Sequence, residues 1–478
     1  MPDVTVTPST VSVTVSGRPP LANAESAGLT STQWNYVFNN AVNTIENASD
    51  DARVWGNSIL GGGNSVFPNR MYGYTSLRTI AGGYNNIIGT AGSTDENECI
   101  NSQILAGSHG RIVSFLSNRV RKVSHGTIVG GAFNEIRNGD FGAIVGGRSN
   151  LIEEKEAFFT AGEFADVADG FCAFIGGGYG NSVNGYEGVV CGGRSNIVEC
   201  KNSSIVGGAS NAIAGAHNFV NELPVNSYQR GFIGGGYQNS MTSSSSSSIV
   251  GGEGNTMNES PAGELDGAGS HFFIGGGKSN KIARSSTGFP LVTDCSYSSI
   301  LGGWANIVNN YAGTVIGGTD NQVQATYAVS FGRDARARLA GALTQGGKKF
   351  SAVGDAQSSV LVLKAQTTSS ASVVMLSHDA SLAVPSDTTW AFRMLIVARN
   401  TNNAVAESAA YEVTGCVDNQ GGTVALVGTP GVTVLAEDVA AWNVSVAVSG
   451  SNLEISCTGE TSKTINWVGR LTLAEVTG

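Results

Sequence analysis

Charge is scarce in this 478-residue chain: Asp, Glu, Lys and Arg make up 13% of it, well below the usual quarter, and the formal net charge is −10. An acidic chain without basic stripes is a poor partner for a phosphate backbone, so no nucleic acid is expected to bind. Hydrophobic residues at 41% exclude a disordered chain, which needs the opposite balance. No stretch approaches the roughly 20 consecutive apolar residues of a membrane span, so no membrane insertion is expected. The start, Met1-Pro2-Asp3-Val4, has neither a basic segment nor an apolar core, and no secretory signal is expected there. Metal-binding patterns are missing too. The seven cysteines form no CxxC pair, and the five histidines add no ligand spacing to them. The expectation is free, mostly buried thiols made in a reducing cytoplasm, with no metal and no cofactor.

What is abundant is glycine, 66 residues, about twice the average share. It falls into one repeated phrase: apolar, apolar, Gly, Gly, any, any, Asn, any, Ile or Val. Clear copies begin at Ile128, Ile144 and Ile205; others begin at Ile80, Ile175, Val190, Ile233, Ile249, Ile274, Ile300 and Val315, with degraded copies at Ile104 and Phe159. Self-similarity at a fixed period marks a solenoid. The compact copies start at 128, 144, 159, 175, 190 and 205, a period of 15 or 16 residues. Hexapeptide β-helices and paired nonapeptide rolls need about 18 residues per coil. Fifteen residues suffice for two short strands and two turns, a flattened roll whose small core calls for a symmetric partner.

The paired glycines allow backbone conformations or approaches that a Cβ would block. Asparagine tolerates the left-handed turn conformation, and its amides can hydrogen-bond from coil to coil. Asn134, Asn150, Asn196, Asn211, Asn255 and Asn306, with Asn86, Asn181, Asn239, Asn280 and Asn321, therefore read as a structural ladder. Asn or a variable residue stands where a calcium-binding roll would place Asp, so repeat calcium sites are not expected. Five coils are longer, and their extra residues, at 89–103, 113–127, 214–232, 258–273 and 283–299, all fall between the end of one phrase and the start of the next. Insertions at one point of the coil emerge on one side.

Residues 1–57 read as a stem. Trp34, Phe38, Ala41, Ile45, Ala48, Ala52 and Trp55 are spaced 4, 3, 4, 3, 4, 3, which predicts a helix with a heptad seam, either for an oligomer or packed on its own domain. Residues 58–340 hold the solenoid. In 341–478 the phrase is gone. Eight strand patterns follow, from Val360–Lys364 to Ile465–Val476, and they predict a β-sandwich or jelly roll. The fold class is all-β throughout, apart from the stem helix.

The segment Tyr327-Ala328-Val329-Ser330-Phe331-Gly332-Arg333-Asp334-Ala335-Arg336-Ala337 resembles the head repeat of trimeric autotransporter adhesins. The glycine-rich phrase resembles a variant of that repeat found in bacteriophage tail fibres and tailspikes. Trp390-Ala391-Phe392-Arg393 and Ile465-Asn466-Trp467-Val468 are similar to the terminal domains of such phage proteins. The resemblance implies a homotrimer with a β-roll shaft. It also implies attachment to phage tail or baseplate proteins through the N-terminus and a host surface receptor, glycan or protein. Bacterial members carry a signal peptide and a membrane anchor; with neither seen here, the expected location is the virion tail, assembled in the host cytoplasm. Alternatives are a tailspike that cleaves surface polysaccharide and a cell-surface trimeric adhesin.

Tailspike enzymes need paired carboxylates about 5–9.5 Å apart. Acidic residues cluster near the degraded copy at Phe159, and Glu163 and Asp166 on that one coil are the candidate catalytic pair, against a reading of them as solvated turn acids. No GxSxG nucleophile motif occurs; Gly146-Gly147-Arg148-Ser149-Asn150 is the repeat itself. Aromatics at the first variable position of the phrase, Tyr179, Tyr237 and Trp304, with Tyr84, are candidate sugar-stacking residues or plain turn covers. Tyr179, Tyr237 and Trp304 stand three coils apart, roughly 14 Å, and so would make separate spots.

Overall fold

The computed structural model describes residues 36–37, 44–46, 58–59, 70–72, 79–81, 83, 85–88, 102–105, 108–113, 125–137, 141–153, 173–184, 187–200, 202–214, 230–242, 246–258, 271–283, 295–402 and 406–478. The chain divides into two compact units, Met1–Tyr237 and Gln238–Gly478. Both contain coils of one design, and no helix occurs among the described residues.

In the first unit each coil contributes one two-residue strand to a first parallel sheet and one strand of two or three residues to a second. Thr127–Ile128, Ala143–Ile144, Phe174–Ile175, Val189–Val190 and Ser204–Ile205 pair in sequence. Glu135–Arg137, Leu151–Glu153, Ser182–Val183, Ile197–Val198 and Ala212–Ala214 do the same opposite them. One residue of each strand points inward. The inward pair is always eight apart: Ile128 with Ile136, Ile144 with Ile152, Val190 with Val198, each at most 2% exposed. Burying such a side chain contributes about 1.5–3 kcal/mol. Two per coil make a thin core, so the stacking contacts matter as much as the interior.

Those contacts run through the buried asparagines. Asn196 Nδ2 donates to Gly192 O of its own coil at 2.9 Å and to Gly208 O of the next at 3.1 Å, while its Oδ1 accepts the Asn211 N–H at 3.1 Å. The set repeats at Asn150, Asn181, Asn211, Asn255, Asn280, Asn306 and Asn321. The asparagines do not themselves take the left-handed conformation, contrary to the sequence expectation. The residue before each does: Phe133, Ser149, Ser195, Ser210 and Ser279 have φ of 54–57°. Asparagine is there for its amide, which satisfies two backbone carbonyls at once. The second glycine of the pair is fixed by approach: at Gly131, φ is +90° and a Cβ would collide with the Gly147 carbonyl.

Two expectations fail. Ala143–Ile144 pairs directly with Phe174–Ile175, and Leu151–Ile152 with Ser182–Val183, so no coil starts at Phe159. In that copy Ala165 stands at the asparagine position. A methyl group cannot donate to the glycine carbonyls as the amide does. Gly110 in the degraded copy at Ile104 is tolerated, because its N–H still reaches Asn86 Oδ1 at 2.9 Å. The expected stem helix is also overturned where its residues are described. Tyr36–Val37 and Thr44–Glu46 are strands, paired parallel with Ser58–Ile59 and Arg70–Tyr72. Val37 and Ile45 are eight apart, the coil spacing, which a heptad seam imitates over a short span. The other seam residues lie outside the described residues.

On the first sheet the outward residue after the buried one is an exposed aliphatic: Val129, Val145 and Val206 in the first unit, Val250, Leu301 and Ile316 in the second. Three coils read Phe-Ile-Gly instead, at 174–176, 232–234 and 273–275. At Gly176 a Cβ would strike the Cys191 carbonyl and come within 3.4 Å of the Phe174 ring. The ring therefore lies beside the place the aliphatic side chain would fill, and an exposed apolar group remains on these coils.

In the second unit the last coil strand, Leu343–Gly347, pairs antiparallel with Ala356–Thr367, and the sheet continues through Ile465–Thr477, Thr388–Asn400, Ser408–Gln420 and Gly431–Glu437. A smaller antiparallel sheet of Ser372–Val374, Leu382–Ala383, Asn443–Ser449 and Asn452–Thr458 faces it. Trp390, Trp442, Trp467 and Tyr411 are buried in the shared core. The Trp467 indole N–H donates to Thr367 Oγ1 at 3.0 Å.

Candidate functional site

Each coil turns twice, and both turns carry exposed aromatic side chains. At the turn after the paired glycines, the first variable residues of neighbouring coils are joined by single β-bridges. Arg148, Tyr179, Arg194, Ala209 and Tyr237 follow one another in the first unit, and Glu253, Lys278, Trp304 and Thr319 in the second. Tyr179, Tyr237 and Trp304 are about half exposed. Two coils separate Tyr179 from Tyr237, so the structure does not bring them together, and Trp304 belongs to the other unit. Tyr84, Glu163 and Asp166 lie outside the described residues.

The other turn holds an array that the phrase does not reveal. In the second unit His271, Tyr297, Tyr311, Tyr327 and His378 form an unbroken line of rings. His271 and Tyr297 stack with centroids 5.0 Å apart at 6°. Tyr311 stands edge-on between Tyr297 and Tyr327, at 5.7 and 5.6 Å. Tyr327 meets His378 at 4.9 Å. His271, Tyr297 and Tyr327 sit at φ of 58–61°, which swings one side chain per coil outward over its neighbour. Their common signal is position: each stands three residues ahead of the inward residue of the first strand (Ile274, Ile300 and Ser330), as do His125 and Phe141, which stack at 4.6 Å in the first unit. His378 has no such signal, because it arrives from the turn Ser377–Ala380 of the terminal sheets. A run of partly exposed ring faces and edges, one per coil, is a surface on which sugar rings can stack.

The terminal sheets supply a third feature. A hollow of about 600 Å³ on the large sheet is lined by Ala356, Ser358, Ala391, Cys416, Ala474 and Val476, with Phe350, 80% exposed, at its rim. The turn carrying Phe350 is built on Asp355. Burial works against that carboxylate, but the N–H groups of Ser351, Ala352 and Phe350 and the Ser351 hydroxyl outweigh it and hold its pKa at about 2. Glu475 behind the hollow is engaged: burial raises its pKa, opposed by hydrogen bonds from Ser359 and Gln357 and by the nearby Arg338.

Neither a family model nor a curated protein matches the chain. Among solved structures it is similar to a tailspike of Acinetobacter baumannii bacteriophage Fri1, described as a capsular polysaccharide depolymerase. That match has 9% identity over 94% of this chain and 85% of that one, at a TM-score of 0.22. A second is the tailspike of Acinetobacter phage vB_ApiP_P1, with 11% identity over 95% and 83% of the two chains and a TM-score of 0.25. Superpositions this loose carry no argument about activity.

The described thiols offer no nucleophile in the two cases where burial decides. Cys200 and Cys457 are buried, and burial pushes both up to about 12, with Glu199 adding to the effect at Cys200. Among the described residues no group of three His, Cys, Asp or Glu side chains is placed to hold a metal.

Proposed function

We propose that this chain is the receptor-binding protein of a phage tail fibre or tailspike, a homotrimer that attaches the virion to a host surface glycan. The observation that carries the proposal is the line of five aromatic rings from His271 to His378. Such a line suits a chain of sugar rings better than a compact ligand, and weak stacking multiplied over three copies gives useful avidity. The exposed aliphatic on coil after coil of the first sheet supports the oligomer, since a recurring apolar stripe is covered most simply by the same stripe of another copy. Residues 1–57 are the segment assigned to the tail or baseplate, 58–340 the shaft, and 341–478 the terminal domain. The location is the virion tail, after assembly in the host cytoplasm.

The test is binding of the purified protein to whole cells of candidate hosts, with glycan release scored in parallel. Tyr297→Ala/Tyr327→Ala is expected to weaken saturable binding at least tenfold and to leave the glycan uncut. Unchanged binding by that variant removes the ladder from the site. Shortened glycan, lost on Glu163→Ala/Asp166→Ala, would replace passive attachment with depolymerisation.

A further inference from the structure

The first unit carries a differently composed edge. At the glycine turn Arg148, Tyr179 and Arg194 follow one another at the first variable position of consecutive coils, and Phe133 stands at the second variable position of the coil before. The Arg148 guanidinium carbon lies 5.5 Å from the Phe133 ring centre, and that of Arg194 lies 5.8 Å from the Tyr179 ring centre. His109 extends the series by stacking on Phe133 at 4.4 Å. Each arginine thus leans back over the ring of the preceding coil. A stacked guanidinium has lost rotamer freedom before any ligand arrives, and its N–H edge remains free for an anion.

Neither arginine has a carboxylate partner among the described residues, in contrast to two other cations of the coils. Arg137 is held by Glu135 at 2.7 Å and Glu153 at 3.4 Å, and Lys278, at the equivalent turn of the second unit, by Glu253 at 3.0 Å. Two pre-oriented guanidinium groups without a carboxylate partner among the described residues thus share one edge of a chain of net charge −10. They stand two coils apart, roughly 10 Å. That is of the order of one disaccharide repeat, with an aromatic ring between them for the intervening sugar.

We propose that this edge binds an acidic polysaccharide, Arg148 and Arg194 each taking a carboxylate bidentately and the exposed outer edge of the Tyr179 ring packing against the sugar between. The proposal rests on the glycan-attachment reading and names the chemistry of the glycan. Bidentate guanidinium–carboxylate pairs supply both charge and geometry, which lysine cannot reproduce.

The experiment measures retention of hyaluronan, which has one carboxylate per disaccharide, by the full-length immobilised protein. Carboxyl-reduced hyaluronan and a short DNA duplex are the comparison ligands. Native hyaluronan is expected to bind with a salt-sensitive Kd. Carboxyl reduction and the Arg148→Gln/Arg194→Gln variant should each weaken it at least tenfold, and Arg148→Lys/Arg194→Lys should fall between. The assignment is overturned if hyaluronan is not retained, if the Gln variant binds as the parent does, or if DNA binds equally well. Whole-cell attachment that survives any of these outcomes leaves the attachment reading standing and removes this edge alone.

Discussion

His378 packs over Gly341. A Cβ on Gly341 would lie 2.9 Å from His378 Cε1, and Gly341 has φ of +69°, so the last coil presents bare backbone where the coil before it presents Tyr327. The ring missing from the coil is supplied by a residue of the terminal sheets. Gly341→Ala should therefore destabilise the second unit by about 1–3 kcal/mol, through backbone strain and displacement of the imidazole. In a thermal-unfolding cycle, adding His378→Ala should recover part of the loss. Strict additivity of the two changes would mean that they do not touch.

The asparagine ladder has a graded prediction built into the sequence. Asn196→Gly mimics the natural Gly110 and loses only the amide, whereas Asn196→Asp turns an oxygen toward the Gly192 and Gly208 carbonyls that the amide now serves. Asn196→Gly should cost about 1–3 kcal/mol for carbonyls left without their donor. Asn196→Asp should cost more at pH 7 and recover as the pH falls and the carboxyl gains a proton. Equal unfolding midpoints for the two variants at pH 7 would contradict this account.

Gly176 and Val206 occupy the same register position on different coils but should answer oppositely to exchange. Gly176→Val drives a side chain into the Cys191 carbonyl and should lower stability by about 3 kcal/mol or more. Val206→Gly removes a half-exposed side chain and should cost about 1 kcal/mol. Calorimetric unfolding of the two single variants separates them.

Asp355 sets an acid limit on the Phe350 turn. Its pKa is held at about 2, below the ordinary 3.8, so its contribution is fully present above about pH 4 and is lost as the pH falls toward 2. Proteolysis by pepsin after Phe350 should become rapid only below pH 3 in the parent protein. In Asp355→Asn it should be rapid at every acidic pH, and no difference between the two would remove Asp355 as the organiser of the turn.

Val145→Asp/Val206→Asp tests the apolar stripe. Both residues are exposed in the single chain, where such a change costs no more than about 0.5 kcal/mol. Light scattering should show trimer for the parent and monomer for the variant. A variant trimer of unchanged stability would place the interface elsewhere.

Much of the coil was legible because its rules are strict. The eight-residue step between inward aliphatics, the second glycine and the asparagine amide each answer a steric or hydrogen-bonding need that few residues meet. The copy at Phe159 misled because Phe159, Gly162 and Val167 match the phrase, while Thr160, Ala161 and Ala165 replace its second apolar residue, its first glycine and its asparagine. The heptad seam misled because Val37 and Ile45 satisfy the coil step. The aromatic ladder was hidden for a different reason: His271, Tyr297 and Tyr327 sit at a left-handed turn position that admits many residues, and His378 reaches it from a distant part of the sequence. Gly431–Glu437 escaped notice as an edge strand exposed at every residue, without an inward side to mark it.

The hydrogen bond from the Asn181 N–H to Asn150 Oδ1 is 3.0 Å long across 31 residues, and the bond from Asn196 to Asn181 is 3.0 Å across 15. The junction between coils is therefore blind to how much chain lies between them. Doubling the length of a closed loop costs only about 0.6 kcal/mol in chain entropy. Segments between coils can lengthen, shorten or be exchanged while the register beneath them stays the same. Selection on what the surface displays is thereby uncoupled from selection on foldability, so an insertion can change without redesign of the coils that carry it.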